Sequence, residues 1–352
     1  MDINQKIINT LFVLLSLSCV FNIFISIQYS YHTFQKNSTH KINIPNTISN
    51  EAQEAIKNIN QNIKEMYAPE LNDIKGWKKI QNMIESGSEK VNEFYIDKFK
   101  PQLEYLDISG VSVIEVSVGN ATSNEDIIVY IHGGAFTLGS AKSNLYAAIL
   151  LSNYTKRKVY TIDYTLAPEA HWEIVLNQTT NVIKDLSLKN KKIAISGHSA
   201  GGSIACGSIL KLQNEQFKLP YALLLLSPWS DISSDGDTYT VLKYEDPILD
   251  YNKFLKNSAL AYSKNSDLKN PLISPIYGKY DNSFPPTLIQ GGGTKEIFLS
   301  DFIRHYQVLD NANVFVKLDL YEGMFHVFPV LYPDLPESVM AFEKMNTFLD
   351  SF

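Results

Sequence analysis

A serine surrounded by small residues occupies positions 197–202 of this 352-residue chain, where the sequence reads Gly197-His198-Ser199-Ala200-Gly201-Gly202. This G-x-S-x-G pattern follows an apolar run of strand type and precedes a helical pattern. In that context a sharp turn presents the serine Oγ to a cleft, and a side chain at either outer glycine would collide with neighbouring backbone. The pattern predicts Ser199 as a nucleophile for acyl transfer. A glycine-rich turn with an idle serine is the alternative.

A second glycine-rich motif comes directly after an apolar run that ends at Ile131, and it reads His132-Gly133-Gly134-Ala135-Phe136. Adjacent glycines let backbone N–H groups approach a substrate oxygen with no Cβ in the way. We therefore expect the amides of Gly133 and Gly134, together with that of Ala200, to form an oxyanion hole. The N-terminal dipole of a helix that begins at Ser199 would act in the same direction. A tight turn without catalytic use is the alternative.

A serine nucleophile needs a base and a carboxylate that orients the base, in the chain order serine, acid, histidine for this type of elbow. Six of the seven histidines lie in the N-terminal region, before or beside the serine, or inside a helical pattern, which leaves His326 after the last predicted strand. The acid is expected after the preceding strand, where Glu296 stands. Asp301 lies deeper in the next helix, and Asp231 follows an earlier strand. The sequence predicts a Ser199-His326-Glu296 triad. The alternatives are a surface histidine for His326 and an ordinary helix N-terminal glutamate for Glu296.

Short strands and helices alternate after residue 105 and must position these groups. Strands are predicted at Val111 to Val118, Ile127 to Ile131, Lys158 to Ile162, Lys192 to Ser196, Ala222 to Leu226, Pro286 to Gln290 and Val314 to Leu320. Helices are predicted at Asn144 to Asn153, Val175 to Ser187, Gly201 to Gln213 and Leu299 to Leu309. Buried apolar strands with helical crossovers indicate an α/β fold with a mostly parallel central sheet flanked by helices. Ligands of such sheets bind beyond the carboxyl ends of the strands, where the predicted triad lies.

The composition narrows the class of protein. With 45% hydrophobic and 12% aromatic residues, the chain can build a large core without disulfides, and its only cysteines are Cys19 and Cys206. The formal net charge of −6 gives no basic surface, so a nucleic-acid partner is not expected. No group of His, Cys and carboxylate residues has the spacing of a metal site. We therefore expect an enzyme without a metal or other cofactor.

The first thirty residues differ from the rest of the chain. No residue from Ile7 to Ile27 is charged, and 21 residues of helix span about 31 Å, roughly one hydrocarbon thickness. Because the run exceeds a signal-peptide core and no clear cleavage site follows, we predict a single-pass signal anchor in the secretory pathway. Signal-peptide cleavage and secretion form the alternative. The predicted organisation is an anchor or signal peptide at 1–30, a linker and helical cap at 31–105, and a catalytic domain at 106–352.

In combination, these motifs resemble the hormone-sensitive-lipase group of α/β-hydrolase esterases, which includes arylacetamide deacetylase. The resemblance covers roughly Ile108 to Phe352. The matching segments are His132 to Phe136, Asp163 to Glu169, the serine elbow, Ser227 to Asp231, Gly293 to Asp301 and Gly323 to Phe328. One departure is Ala135, which stands where the family usually has glycine. The resemblance implies an α/β-hydrolase fold with an N-terminal helical cap, which residues Asn50 to Val91 would supply.

The resemblance also implies a function. It implies hydrolysis of carboxylic esters, and it implies that Tyr164, Pro168 and Glu169 help to hold the oxyanion loop. An anchored hydrolase would meet lipophilic small-molecule esters beside the bilayer. Amide or lactone hydrolysis with the same triad is one alternative. The other is a non-catalytic small-molecule-binding protein on the same fold, although such relatives typically lack the serine or the histidine.

Overall fold

The structure is a computed structural model that describes residues 42–59, 64–121, 126–189 and 192–352. The predicted anchor from Ile7 to Ile27, and Cys19 within it, lie outside the described residues. Among the helices of the described part, none combines the length and the hydropathy that a membrane crossing needs.

A single sheet of eight strands forms the centre of the described chain. Its strands are β1 (Gln102–Ile108), β2 (Val111–Ser117), β3 (Asp126–Ile131), β4 (Lys158–Ile162), β5 (Lys192–His198), β6 (Ala222–Leu226), β7 (Thr287–Gly292) and β8 (Val316–Tyr321). They are arranged in the order β1-β2-β4-β3-β5-β6-β7-β8. The β1–β2 and β2–β4 pairs are antiparallel. The remaining pairs are parallel, namely β4–β3, β3–β5, β5–β6, β6–β7 and β7–β8. This topology confirms the predicted α/β fold with a mostly parallel sheet.

Helices cover both faces of the sheet. They are α1 (Asn50–Asn58), α2 (Ile74–Phe99), α3 (Leu145–Thr155), α4 (Trp172–Leu188), α5 (Ala200–Asn214), α6 (Thr238–Val241), α7 (Lys256–Ser263), α8 (Leu299–Asn311), α9 (Phe328–Leu331) and α10 (Pro336–Leu349). Alternate residues of the central strands point to opposite faces. Ile127 and Val129 join the core cluster that contains residues of α4, α5 and α8. Ile128 and Tyr130 join the cluster of α3 and α10.

The predicted strands from Val111 onward are all present, whereas β1 was not predicted. Only Ile108 of β1 is buried, so the strand has no apolar run for sequence reasoning to detect. It pairs along its length with β2 at the edge of the sheet. Because β1 begins at Gln102, the sheet starts before residue 106, where the catalytic domain was predicted to begin.

Two helices lie in the region predicted as linker and cap. Helix α1 is capped by Ser49, whose hydroxyl accepts from the Ala52 amide at 3.0 Å. Its buried Ile56 packs in a cluster with Phe325 and Phe328, next to the predicted catalytic histidine. Helix α2 reaches the oxyanion loop, since the Gln81 side chain donates to the Thr137 carbonyl at 3.0 Å. Residues 227–286 form a long segment between β6 and β7, which carries α6 and α7 and which we call the insertion.

Candidate active site

Ser199 lies at the turn between β5 and α5, with φ 53° and ψ −126°. This strained conformation is held by two backbone bonds, from the Ser199 amide to the Leu226 carbonyl and from the Trp229 amide to the Ser199 carbonyl, both 3.0 Å. A Cβ on Gly201 would lie 2.1 Å from the Ile131 carbonyl oxygen, and one on Gly197 would lie 2.4 Å from the Gly201 oxygen. Both predicted glycine positions therefore need glycine, and the turn has the geometry of a nucleophile elbow.

His326 stands between the serine and a carboxylate. Its Nε2 lies 2.9 Å from Ser199 Oγ, and its Nδ1 lies 2.7 Å from Glu296 Oε1. A carboxylate oxygen only accepts, so Nδ1 carries the proton and the Nε2 lone pair faces the serine hydroxyl. All three side chains are largely buried, and the Phe298 ring packs edge-on against the imidazole at 5.2 Å. The structure thus brings the three predicted triad residues together.

The second carboxylate oxygen of Glu296 is fixed by donors from two strand ends. Glu296 Oε2 accepts from the Gly292 amide at 2.7 Å and from Ser227 Oγ at 3.1 Å. Ser227 Oγ in turn accepts from the Val327 amide at 3.0 Å. One hydroxyl therefore connects the acid to the residue that follows His326. Sequence reasoning did not identify Ser227 as a site residue, although its position directly after β6 places it at the same edge of the sheet.

The two rejected acids lie elsewhere. Asp301 is buried within α8, where it accepts from the Asp231 amide at 2.9 Å and from the Tyr239 hydroxyl at 3.0 Å. Burial, with Asp231 nearby, holds the pKa of Asp301 well above its usual range. Asp231 pairs with Arg304 at 2.6 Å. Their partners show that both aspartates brace the insertion against α8.

The oxyanion loop differs from the prediction at one amide. The Gly133 N–H donates to His198 Nε2 at 3.0 Å, so it is already engaged. Gly134, at φ 110°, follows, and its Cβ would lie 2.1 Å from the Leu138 carbonyl oxygen. Within the described chain, the amides of Gly134, Ala135 and Ala200 have no protein acceptor. These three N–H groups therefore differ from that of Gly133, which is bound to His198.

Contacts from the segment after β4 support the oxyanion loop. The Tyr164 hydroxyl donates to the His132 carbonyl at 2.9 Å, and the two rings stack at 4.3 Å. The Ala167 amide donates to the Phe136 carbonyl at 3.0 Å. Glu169, in contrast, forms an exposed ion pair with Lys78 of α2 at 2.7 Å. Tyr164 therefore contacts the loop directly, while Glu169 ties the same segment to the N-terminal region.

A row of buried aromatic rings lines one side of the site. Phe136 stacks on Tyr262 of α7 at 3.9 Å and lies 5.2 Å from Trp229. Trp229 stacks on Phe298 at 5.6 Å, and Phe298 contacts His326 as described. The row of rings therefore connects the insertion to the imidazole of His326 through buried apolar contacts.

A buried carboxylate braces the loop that carries the acid. Asp246, from the insertion, accepts from the Ile297 amide at 2.9 Å and from the amides of Ile248 and Leu249, both at 2.8 Å. Burial raises the pKa of Asp246 to about 6, and the nearby Glu296 charge adds to the shift. Asp246 therefore positions the residue directly after Glu296.

Known proteins resemble this chain over the whole site. A sequence profile of the alpha/beta hydrolase fold matches residues 128–330, from before the oxyanion loop to just past His326. An esterase of Acinetobacter venetianus is 29% identical over 255 residues, which cover 71% of this chain and 82% of the relative. An acetyl-hydrolase of Streptomyces hygroscopicus is 25% identical over 293 residues, covering 81% and 97%. The crystal structure of esterase E25 superposes with a TM-score of 0.82 at 26% identity, covering 90% of this chain and 98% of that one.

Proposed function

Because this chain belongs to the α/β-hydrolase fold family, we propose that it is a serine hydrolase of carboxylic esters. Ser199 is the nucleophile, His326 the general base and Glu296 the residue that orients the imidazole. One observation carries the proposal: a buried, continuous hydrogen-bond chain from Ser199 Oγ through the imidazole to Glu296, with spacings of 2.9 and 2.7 Å. This arrangement activates a serine hydroxyl for attack on an acyl carbon.

The reaction proceeds in two halves. Ser199 Oγ attacks the ester carbonyl while His326 Nε2 takes its proton, and the tetrahedral intermediate collapses as His326 protonates the leaving alcohol. Water then attacks the acyl-serine while His326 Nε2 takes one of its protons, and the second tetrahedral intermediate collapses to the free acid as His326 returns that proton to Ser199 Oγ. Glu296 accepts the hydrogen bond from His326 Nδ1–H in every step, so Nε2 is the nitrogen that takes and returns the proton.

The oxyanion of each tetrahedral intermediate is stabilised by the amides of Gly134, Ala135 and Ala200. The support for this set is that these N–H groups have no protein acceptor in the described chain, whereas the Gly133 amide is bound to His198. Ala135 stands where the resembling family usually has glycine, and its methyl side chain leaves the backbone N–H in place as a donor. Fixed amides in a buried site stabilise developing negative charge without reorganisation.

Turnover by the Ser199→Ala variant tests the proposed function. We expect hydrolysis of p-nitrophenyl acetate to fall by about 10⁶-fold in kcat, since loss of the nucleophile disables the whole triad. Ser208→Ala is the matched control, because Ser208 is a buried serine of α5, the helix that follows Ser199, and its hydroxyl lies 2.6 Å from Thr179 Oγ1, outside the triad. Near-normal turnover by Ser199→Ala would refute the assignment.

The substrate is proposed as a small-molecule acyl ester. The support comes from the relatives, which are named esterase and acetyl-hydrolase. Amides and lactones are the alternative substrates, since the same triad cleaves them. Parallel kcat/KM measurements on matched ester, amide and lactone substrates with one acyl group decide between these classes, with the ester expected to be the fastest. A panel that is not hydrolysed at all, while the substrates still bind, would favour the non-catalytic binding protein.

Helices α1 and α2 are proposed as a cap over the hydrolase domain. Support comes from three contacts between α2 and the segment around the oxyanion loop. Gln81 donates to the Thr137 carbonyl at 3.0 Å, and Asn92 donates to the Lys142 carbonyl at 2.9 Å. The Asn92 side-chain oxygen, Oδ1, also accepts from the Tyr146 amide at 2.9 Å.

We also propose that residues Ile7 to Ile27 tether the enzyme to a membrane of the secretory pathway, where it meets lipophilic esters. The support is the uncharged run itself. At the start of the described chain, Ile42 and Ile44 pack against the apolar cluster that contains Met324 and Phe325. Carbonate-washed membranes should retain the full-length chain; a soluble chain that has lost its first thirty residues would indicate secretion instead.

A further inference from the structure

His198, the residue between Gly197 and the nucleophile, makes two buried contacts that the triad does not explain. Its ring nitrogens both have partners: Nε2 contacts the Gly133 amide at 3.0 Å, and Nδ1 contacts the Tyr130 hydroxyl at 2.7 Å. We propose that His198 is a positioning residue, which holds the oxyanion loop in register with Ser199 by binding the Gly133 amide. This inference rests on the proposed ester hydrolysis.

The hydrogen-bond partners determine the protonation of His198. A backbone N–H can only donate, so Nε2 must be the acceptor and must carry no proton. Nδ1 then carries the proton and donates to the Tyr130 oxygen. Burial lowers the pKa of His198 to about 3, with His132 and His326 contributing, so the ring stays neutral at any pH at which the triad works. Nε2 of His198 is therefore always an acceptor for the Gly133 amide.

The loop packs directly on the His198 ring. A Cβ on Gly133 would lie 2.7 Å from both Cδ2 and Nε2 of the imidazole, so no side chain fits between them. The Gly133 N–H is turned toward the ring, and the next two amides, of Gly134 and Ala135, are left without protein acceptors. This hydrogen bond thus engages one amide of the loop and leaves the next two for the proposed oxyanion hole.

The sequence order makes this contact a direct geometric link. Three consecutive residues of the elbow act on the loop and the substrate. His198 binds the loop, Ser199 is the nucleophile and Ala200 supplies the third oxyanion donor. One side chain on the elbow therefore helps to set the distance between the loop amides and the attacking oxygen, beside the contact that Tyr164 makes with the loop. Misplacement of such a donor by about 1 Å can cost on the order of 10²-fold in rate.

Two His198 substitutions separate positioning from packing. His198→Gln keeps an acceptor oxygen near the place of Nε2, whereas His198→Met has similar reach with only a weak sulfur acceptor. With p-nitrophenyl acetate we expect kcat to fall about 10²-fold for His198→Met, with KM within about threefold, because an oxyanion donor acts mainly in the transition state. We expect His198→Gln to recover most of this loss.

His305→Met serves as the matched control. His305 is also a fully buried neutral histidine, with a pKa lowered to about 3 by burial, and its ring contacts Ser230 and Tyr280 rather than the site. This variant should lose thermal stability as His198→Met does but keep kcat. Both variants are assayed at least 10 °C below their melting transitions, so that a loss of folded protein does not enter kcat.

A second measurement uses a trifluoromethyl ketone, which forms a tetrahedral oxyanion adduct with the serine. Its inhibition constant should rise about 10²-fold for His198→Met, in parallel with the loss of kcat/KM, and should stay near wild type for His305→Met. The inference is overturned if His198→Met keeps wild-type kcat and inhibitor affinity, or if His198→Gln is as impaired as His198→Met. Absence of ester hydrolysis by the wild-type chain would instead refute the proposed function.

Discussion

Replacing Glu296 by glutamine tests how the acid controls the tautomer of His326. The carboxylate is fully buried, and its Oε2 faces two donors, the Gly292 amide at 2.7 Å and the Ser227 hydroxyl at 3.1 Å. In Glu296→Gln the amide oxygen must take this position, since an NH₂ group there would face the Gly292 N–H. The side-chain NH₂ is then forced toward His326 Nδ1.

The consequence is a change of tautomer. An NH₂ group donates, so His326 Nδ1 must become an acceptor and the proton must move to Nε2. An Nε2–H cannot take the proton of Ser199, although the geometry is almost unchanged. The general Ser-His-Asp template loses about 10⁴-fold in kcat on the equivalent change, which corresponds to about 5.4 kcal/mol of transition-state stabilisation.

The assay is steady-state hydrolysis of p-nitrophenyl acetate by Glu296→Gln and by Glu322→Gln. Glu322 is an exposed glutamate of the loop before His326, bound to the Thr47 hydroxyl at 2.8 Å, and its variant should keep wild-type kcat. We expect Glu296→Gln to lose about 10⁴-fold in kcat with little change in KM. A loss of less than about tenfold would refute the reasoning about the tautomer.

Three further predictions concern groups around the triad. Ser227→Ala removes the hydroxyl between Glu296 and the Val327 amide; we expect about tenfold lower kcat and a loss of about 1–3 kcal/mol in unfolding free energy, measured in urea, because the Val327 N–H is left buried and unpaired. Wild-type stability of that variant would contradict the described link. Gly134→Ala places a Cβ 2.1 Å from the Leu138 oxygen at φ 110°, so kcat should fall by about 10²-fold and the melting temperature should drop, and unchanged kinetics would argue against this loop as the oxyanion hole. Burial raises the pKa of Asp246 to about 6, so between about pH 4 and pH 6 the folded chain holds a proton that the unfolded chain has released. The unfolding free energy should therefore fall by up to about 1.4 kcal/mol per pH unit as the pH rises from about 4 to about 6. Urea titrations of Asp246→Asn should show a flatter dependence there, and an unchanged slope would exclude this group as the cause.

Residues fixed by local rules were predictable from the sequence. The elbow glycines at 197 and 201 are needed because any Cβ would meet backbone within 2.4 Å, and that requirement leaves a visible motif. His326 could be found by position, since a site at the carboxyl ends of parallel strands excludes most other histidines. The central strands were recognisable because strands that are buried on both faces of a sheet appear in the sequence as short apolar runs.

Contacts through space were not predictable. Nothing in the local sequence indicates that His198 takes the Gly133 amide or that Ser227 bridges Glu296 and Val327. The strand β1 was missed because its side chains are mostly exposed at the edge of the sheet. These features depend on how separate loops meet at the edge of the sheet, which the sequence pattern does not specify.

The acyl group itself provides the most direct test of the central claim. Full-length protein is mixed with p-nitrophenyl acetate, quenched in acid within milliseconds and digested, and the peptide that contains Ser199 is examined by mass spectrometry. We predict one acetyl group on Ser199, formed at the rate of the p-nitrophenol burst and absent from Ser199→Ala. Acetyl transfer to another residue, or turnover by Ser199→Ala at the wild-type rate, would contradict the assignment of Ser199 as the nucleophile.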